Sequence, residues 1–291
     1  MIDSQQFVPV AAEIAREAGA LLMSYYGRVS VEYKGEVDLV TEADRKSEAL
    51  IMERLRRSFP HHQIMSEEGG RHSSGSDYRW YVDPLDGTTN FAHTFPVFCV
   101  SLGLEYKGDL IAGVVYDPTR NELFSAEKGS GAYISSADQN VPGTSPGPVT
   151  QRPIKVSSVN LLAESLTATG FPSQKRYRNP NIHFYHHLTM RSHGVRRAGS
   201  AALDLCNLAC GRVDGFWEFN LNPWDTAAGA VIVREAGGMV TKFDGQPFDI
   251  ASKEVLGSNS HIHEELISNF EQIFAGRDLD ELPKPSEYGK A

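Results

Sequence analysis

Two aspartates three residues apart sit in the run Asp83-Pro84-Leu85-Asp86-Gly87-Thr88, directly after the bulky, strand-prone stretch Arg79-Trp80-Tyr81-Val82. A buried strand would deliver both carboxylates into a tight turn, stiffened by Pro84 and opened to close ligand approach by Gly87. Hard cations such as Mg²⁺ take oxygen ligands, and two carboxylates with an intervening backbone carbonyl can share one or two ions. The successive N–H groups of Asp86, Gly87 and Thr88 could cradle an anion, more strongly if a helix begins there. Cation ligands and anion donors packed so closely suit phosphoryl chemistry. The same residues also read as a plain turn, since Asp, Pro and Gly are all turn formers.

Two distant segments bear on that choice. Ile64-Met65-Ser66-Glu67-Glu68-Gly69 is another short strand ending in acids and a glycine, and Asn222-Pro223-Trp224-Asp225 sets an aspartate at the head of an Ala- and Gly-rich helix. An Asp there can be a simple N-cap. Three element ends that each present carboxylates are nevertheless the arrangement expected of one cation cluster.

The elements that must hold these residues can be read from spacing. Phe7, Val10, Ile14, Leu21, Leu22 and Tyr25 predict a helix from about Ser4 to Tyr26, with Gly27 as its stop. A second helix opens at Thr41-Glu42-Ala43-Asp44, a capping box with Asp in the place of Glu. Short extended runs follow at 63–66, 79–82, 98–106, 110–116, 122–126 and 132–134, joined by hairpin-length turns that imply an antiparallel sheet. Residues 135–153 are rich in Ser, Pro and Gly and read as a surface insertion and as the best boundary, giving halves at 1–150 and 151–291. Beyond it, strands at 154–156, 165–169, 213–219, 239–241 and 255–258 alternate with helices at 181–191, 200–210, 225–236 and 263–274. That alternation predicts an α/β half after an α+β half. The tail from Gly276 is expected to fray.

Bulk properties narrow the field. The chain has 291 residues, with 28 Lys and Arg against 37 Asp and Glu, a formal net charge of −9. That balance argues against a general nucleic-acid binder, which needs a basic footprint. No apolar run approaches the roughly 20 residues of a membrane span, and the N-terminus lacks a signal-peptide pattern. Cys99, Cys206 and Cys210 form no CxxC pair and read as reduced thiols in the cytoplasm, with Cys206 and Cys210 packing on a helix rather than sharing a metal.

Taken together the residues resemble the inositol monophosphatase family of Mg²⁺-dependent, lithium-sensitive phosphatases. One signature is matched by Trp80 through Phe91 (WYVDPLDGTTNF), preceded by Glu67-Glu68; the other by Trp224-Asp225-Thr226-Ala227-Ala228-Gly229, followed by Glu235-Ala236-Gly237-Gly238. The likeness runs from the first helix to about residue 270. It implies a five-layer αβαβα sandwich, a homodimer, and two or three Mg²⁺ per active site. Glu67, Asp83, Asp86 and Asp225 would be side-chain metal ligands, with the carbonyl of Leu85, where the family often has isoleucine. Thr88 would hold the attacking water with Glu67, and Asp44 would orient Thr88. Glu68 is expected beside the ligands rather than among them. The implied reaction is in-line attack by a metal-activated water, with the amides near Gly87 stabilising the equatorial oxygens. The haloacid-dehalogenase alternative needs aspartates two apart, and here they are three apart.

On the substrate side the resemblance assigns Asp86, Gly87, Thr88, Ala201, Glu218 and Asp225. Glu218 favours a polyol phosphate such as inositol 1-phosphate, although a carboxylate there could also pair with the amine of histidinol phosphate. Lys175, Arg176 and Arg178 could hold a second phosphate, as in fructose 1,6-bisphosphate, but read more simply as a solvated loop face. Arg196-Arg197 could support a subunit contact. His183 and His187 have ligand-like spacing without an intervening glutamate base, so packing or surface roles are expected. Some family members also act as regulatory partners of transcription or RNA machinery, an alternative that fold alone does not exclude.

Overall fold

The computed structural model describes residues 7–28, 31–33, 39–137, 149–171 and 179–277. Helix α1 (Phe7–Tyr25) buries Phe7, Ile14, Ala18 and Leu22 along one face, as its spacing predicts. A short antiparallel pair, β1 (Val31–Tyr33) and β2 (Leu39–Thr41), leads into α2 (Glu42–Ser58). The capping box is present: Thr41 Oγ1 accepts from Asp44 N–H, and Asp44 Oδ2 accepts from Thr41 N–H at 2.8 Å.

The larger sheet is built next, from β3 (Gln63–Ser66), β4 (Arg71–His72), β5 (Tyr78–Asp86), the short helix α3 (Thr88–Ala92), β6 (Cys99–Tyr106), β7 (Asp109–Asp117), β8 (Glu122–Glu127), β9 (Ala132–Ala137) and β10 (Val149–Pro153). Its order is β10-β9-β8-β7-β6-β5-β3-β4, antiparallel throughout except for the parallel β3–β5 pair. The smaller sheet uses β11 (Leu166–Thr169), β12 (Gly194–Arg196), β13 (Gly215–Phe219), β14 (Met239–Thr241) and β15 (Glu254–Ser258) in the order β12-β11-β13-β15-β14. Its helices are α4 (Asn181–Arg191), α5 (Ala201–Ala209), α6 (Pro223–Glu235) and α7 (His263–Phe274).

Alternation along each strand explains the layering. On β7, Ala112 and Val114 join the core under α1 and α2, whereas Val115 points the other way, toward α5 and α6. The core around α5 and α6 also takes in Phe124 and Ile134 from the larger sheet and Ala168, Phe216 and Val255 from the smaller. A third core joins Phe184 and Leu188 of α4 and Leu266 and Phe270 of α7 to Trp217 and Leu256. The layers are therefore α1/α2, larger sheet, α5/α6, smaller sheet, α4/α7: the five-layer αβαβα sandwich.

The middle layer is unusually close to the larger sheet. Gly103 and Gly113 pair across β6 and β7. A Cβ on Gly113 would stand 2.4 Å from Ala228 O, and one on Gly103 would stand 2.5 Å from Ala227 Cβ. The small residues of α6 thus let its backbone sit directly on paired glycines. Its far end is stapled as well, because Glu235 accepts from Gly129 N–H and Gly131 N–H, each at 2.9 Å.

Three details depart from expectation. The strand predicted at 79–82 continues to Asp86. The insertion predicted at 135–153 is shorter, because residues 149–153 pair with β9 in register Val149↔Ala137 to Pro153↔Tyr133; residues 138–148 lie outside the described set. Residues 154–156 are not a strand; the chain leaves the larger sheet at Pro153 and crosses to the smaller one. Ile154 N–H still bonds Ala132 O at 2.9 Å, which accounts for the strand-like apolar pattern there. No helix among the described residues is long and apolar enough to cross a membrane.

Candidate active site

A three-residue spacing would normally put Asp83 and Asp86 on opposite faces of β5. The pairing with β6 removes that problem. Asp83 faces Ser101 and Asp86 faces Cys99, so three steps on β5 oppose two on β6. This bulge adds one residue and returns both aspartates to the same side. Leu85 N–H donates to Asp83 Oδ1 at 3.0 Å, and Ser47 Oγ of α2 donates to Pro84 O at 2.9 Å, fixing the turn from both sides. Gly87 then takes φ +98° as the cap of α3, where a Cβ would meet Val97 O at 2.8 Å. Only glycine satisfies both the angle and the contact.

Thr88 opens α3. Its Oγ1 donates to Asp44 Oδ1 at 3.1 Å and lies 3.0 Å from Leu85 O. Asp44 is buried, and burial raises its carboxyl while hydrogen bonds from Thr41 and Thr88 pull it back. The capping residue and the threonine partner are thus the same side chain.

Asp225 stands at the third position of α6, where Asn222 N–H donates to its Oδ2 at 2.7 Å. Half-buried, it is pushed up to about 8, first by burial and then by Asp86 and Glu218, against the Asn222 N–H and Lys253. Asp83 is buried beneath and held well above the carboxylate range by burial and by Glu67, Asp86 and Asp225. Glu67 follows β3 and bonds Val82 O through its N–H at 3.2 Å, which sets it beside the end of β5. The structure therefore brings Glu67, Asp83, Asp86 and Asp225 together electrostatically.

The residues present fit a hard divalent cation. Among the described residues no three His, Cys, Asp or Glu side chains are closed into a ready cage. Instead Leu85 N–H holds Oδ1 of Asp83, Ser200 and Ala202 hold Oδ2 of Asp86, and Asn222 N–H holds Oδ2 of Asp225. Carboxylates crowded so closely repel one another, and a divalent ion relieves that repulsion as a proton would. The donor set, carboxylates and the Leu85 carbonyl, is all hard oxygen and suits Mg²⁺ rather than a thiophilic metal.

The residues expected on the substrate side lie on the adjoining elements. Ala201 is the first residue of α5, and Ala202 N–H donates to Asp86 Oδ2 at 2.8 Å. Glu218 is buried on β13 against Gly170, where any Cβ would fall 2.1 Å from Glu218 Oε1. Its carboxyl is raised well above the usual range by burial, Asp204 and Asp86, and lowered by Arg197.

The sequence reading missed Asp204, offered Arg197 only a subunit contact, and gave Ser200 and Asn90 no role of their own. Asp204 is buried on α5 and likewise raised by burial and by Asp86, with Arg197 opposing. An acid in a helix ordinarily reads as solvent-facing, so only the apolar residues around Asp204 could have flagged it. Arg197 is exposed and faces these acids electrostatically. Asn90 sits inside the first signature, and Ser200 is a recognisable N-cap.

Other expectations resolve simply. His187 is buried with Nε2 3.0 Å from Asn269 Oδ1, whereas His183 is exposed, so the two do not converge. The three cysteines are free. The Lys175-Arg176-Arg178 cluster lies outside the described residues.

Carboxylates gathered at the ends of β3, β5 and α6 in an αβαβα sandwich suit a hydrolase of phosphate esters. Comparison with known proteins gives the family. A model of the inositol monophosphatase family matches residues 3–275. The inositol-1-monophosphatase of Synechocystis sp. is 44% identical over 91% of this chain and 88% of its own length. The Nus factor SuhB of Pseudomonas aeruginosa is 39% identical, covering 92% and 96% of the two chains. The solved inositol monophosphatase of Anabaena (Nostoc) sp. superposes with a TM-score of 0.79 at 41% identity, over 98% of this chain and 99% of that one. The chain belongs to the inositol monophosphatase family, and with it to the phosphoric monoester hydrolases.

Proposed function

We propose that the protein is a Mg²⁺-dependent phosphatase that hydrolyses inositol 1-phosphate or a closely related polyol phosphate. The observation that carries this reading is the bond from Thr88 Oγ1 to Asp44 Oδ1 at 3.1 Å beside the Asp83, Asp86 and Asp225 carboxylates. A plain turn needs no buried acid to orient its threonine. Glu67, Asp83, Asp86, Asp225 and the Leu85 carbonyl would hold two or three Mg²⁺. When bound, the metal supplies the positive charge that acidifies water and neutralises the departing oxygen. Thr88 and Glu67 hold that water in line with phosphorus. Its oxygen would form the new P–O bond as the ester P–O bond breaks, the water giving up a proton toward Glu67 and the leaving alkoxide taking one from solvent. The amides around Gly87 face the equatorial oxygens. Glu218, Ala201 and Asp225 accept or shape the hydroxyl-bearing part of the substrate.

Phosphate release should be measured in parallel on inositol 1-phosphate, histidinol phosphate, fructose 1,6-bisphosphate and 3′-phosphoadenosine 5′-phosphate, with Mg²⁺ and lithium varied. Preference for inositol 1-phosphate, loss without Mg²⁺, inhibition by lithium and abolition by Asp86→Asn are expected. Preference for histidinol phosphate would overturn the substrate, and turnover by Asp86→Asn at saturating Mg²⁺ would overturn the metal site.

A homodimer and a cytoplasmic location belong to the same proposal, the first from the family resemblance and the second from the free thiols. Light scattering and fractionation check them. The relatives named Nus factor favour a second reading, regulatory contact with transcription machinery. Binding of purified RNA polymerase by Asp86→Asn, independent of turnover, would support it.

A further inference from the structure

Helix α5 is capped by Ser200, whose backbone is extended at φ −143° and ψ 107° and whose side-chain oxygen accepts from Leu203 N–H at 3.4 Å. A hydroxyl that accepts still has its own proton to give. Here it goes to Asp86 Oδ2 at 2.7 Å, the shorter of the two contacts. The same oxygen receives Ala202 N–H at 2.8 Å, and the Cys99 thiol stands 3.8 Å from it. Donors 114 and 116 residues away in the chain therefore occupy Oδ2.

The loop that delivers Ser200 is fixed from the opposite side. Asn90 Nδ2 donates to Val97 O at 2.8 Å and to Ala198 O at 2.9 Å, with Gly199 O 3.3 Å away. Gly199 adopts φ +89°, and a Cβ there would stand 2.7 Å from Arg197 Nη1 and 3.1 Å from Asn90 Nδ2. Two side chains, Asn90 and Ser200, thus staple the turn after β5 to the head of α5.

We infer that Ser200 is a positioning residue that selects which oxygen of Asp86 faces the cleft, and so ties cation binding at Asp86 to the substrate-facing start of α5. This rests on the reading of Asp86 as a cation ligand. A neutral donor on the far oxygen leaves the near one charged and oriented, whereas an unheld carboxylate would spend binding energy on being ordered. The hydroxyl also caps α5, so its removal has a structural effect that must be separated from this one.

The test is calorimetric titration of Mg²⁺ into the metal-free full chain, wild type against Ser200→Gly, Ser200→Asp, Ser200→Thr and Asp86→Asn, alongside thermal unfolding without metal. Gly and Asp are both good N-caps, so α5 keeps its start in each while the hydroxyl is lost. Ser200→Gly should weaken Mg²⁺ binding about ten- to a hundredfold, the usual effect of losing a partner behind a metal ligand. Ser200→Asp, which repels Asp86, should weaken it further, and Ser200→Thr should restore most of it. If Ser200→Gly and Ser200→Asp bind Mg²⁺ like wild type while Asp86→Asn does not, Ser200 only caps the helix and the inference falls. If wild type and Asp86→Asn titrate alike, the cation reading of Asp86 fails first and takes the inference with it.

Discussion

A hydroxyl has one proton, and at Thr88 two acceptors compete for it, Asp44 Oδ1 at 3.1 Å and Leu85 O at 3.0 Å. When the proton goes to Asp44, the oxygen of Thr88 is left to accept from a water in the cleft. The arrangement works only while Asp44 is an acceptor. An asparagine there could turn its NH₂ toward Thr88 and fill the lone pair that water needs. Asp44→Asn should therefore cut turnover by about ten- to a hundredfold, with KM little changed. The capping role would survive in large part, because Asn still accepts from Thr41 N–H. Steady-state kinetics and a melting curve check both halves, and an unchanged kcat would remove Asp44 from the site. The sequence shows Asp44 as a helix cap and, through the resemblance, as a partner of Thr88. It does not show Asp204, whose meaning depends on Asp86, Glu218 and Arg197 arriving from other elements.

At the scale of elements, the site depends on how closely α6 can sit against the larger sheet. Asp225 is carried at the head of α6, and Asp83 and Asp86 lie at the end of β5, so the seating of the helix sets the gap between them. A methyl on Gly113 would reach 2.4 Å from Ala228 O, which is backbone and cannot rotate away. Gly113→Ala should cost about 1–3 kcal/mol, as overpacked cores do, and should reduce activity by displacing Asp225. An unfolding curve and kcat together test it; a loss of stability without loss of activity would show that the close seating is not what places Asp225. Helices with strong periodicity were legible from sequence, and 181–191 and 263–274 agree to the residue. The short β4 and β12 were not, since two or three residues carry no period and form only because a neighbouring strand offers hydrogen-bonding groups. The bulge in β5 was hidden for a related reason: it is a property of the pairing with β6. Buried His62 is another such case, stacked on Phe59 and Tyr78 and accepting from Trp80 Nε1–H at 3.1 Å. Burial, with repulsion from His61, lowers it to about 4. Its neutral form is favoured by folding, so its contribution is complete above about pH 6.5 and is lost as pH falls toward the folded value. The span corresponds to about 3 kcal/mol at most. Melting temperatures of wild type should fall more steeply between pH 6.5 and 4 than those of His62→Phe, and parallel curves would rule this out.

The whole molecule carries a net charge of −9 and places several of its acids in one cleft between two sheets. The sandwich makes this possible by supplying strand and helix ends from its sheets and the helix layer between them, while the cores on either side of each sheet hold those ends in place. Most of that architecture could be anticipated from the alternation of elements and the two signatures. The electrostatic state of the cleft could not, because it depends on distances that no spacing in the chain encodes. That state has a consequence for the folded protein as a whole. The raised carboxyl of Asp225, at about 8 when folded and about 4 when unfolded, holds a proton in the native state between those values. Its contribution to the stability of the metal-free protein is complete below about pH 4 and is lost as pH rises through about 8. A divalent cation and a proton then compete for the same charge. At pH 6 binding must expel the proton of Asp225, whereas above about pH 8 that carboxylate is already ionised and repelled by its acidic neighbours. The melting temperature gained on adding Mg²⁺ should therefore be larger at pH 8.5 than at pH 6, at equal Mg²⁺. At a concentration of about a hundred times Kd the gain amounts to about 2.7 kcal/mol, several degrees for a chain of this size. Calorimetric scans with and without Mg²⁺ at both pH values measure the difference directly. Equal gains at the two values would mean that the acids of the cleft are not the groups that hold the ion.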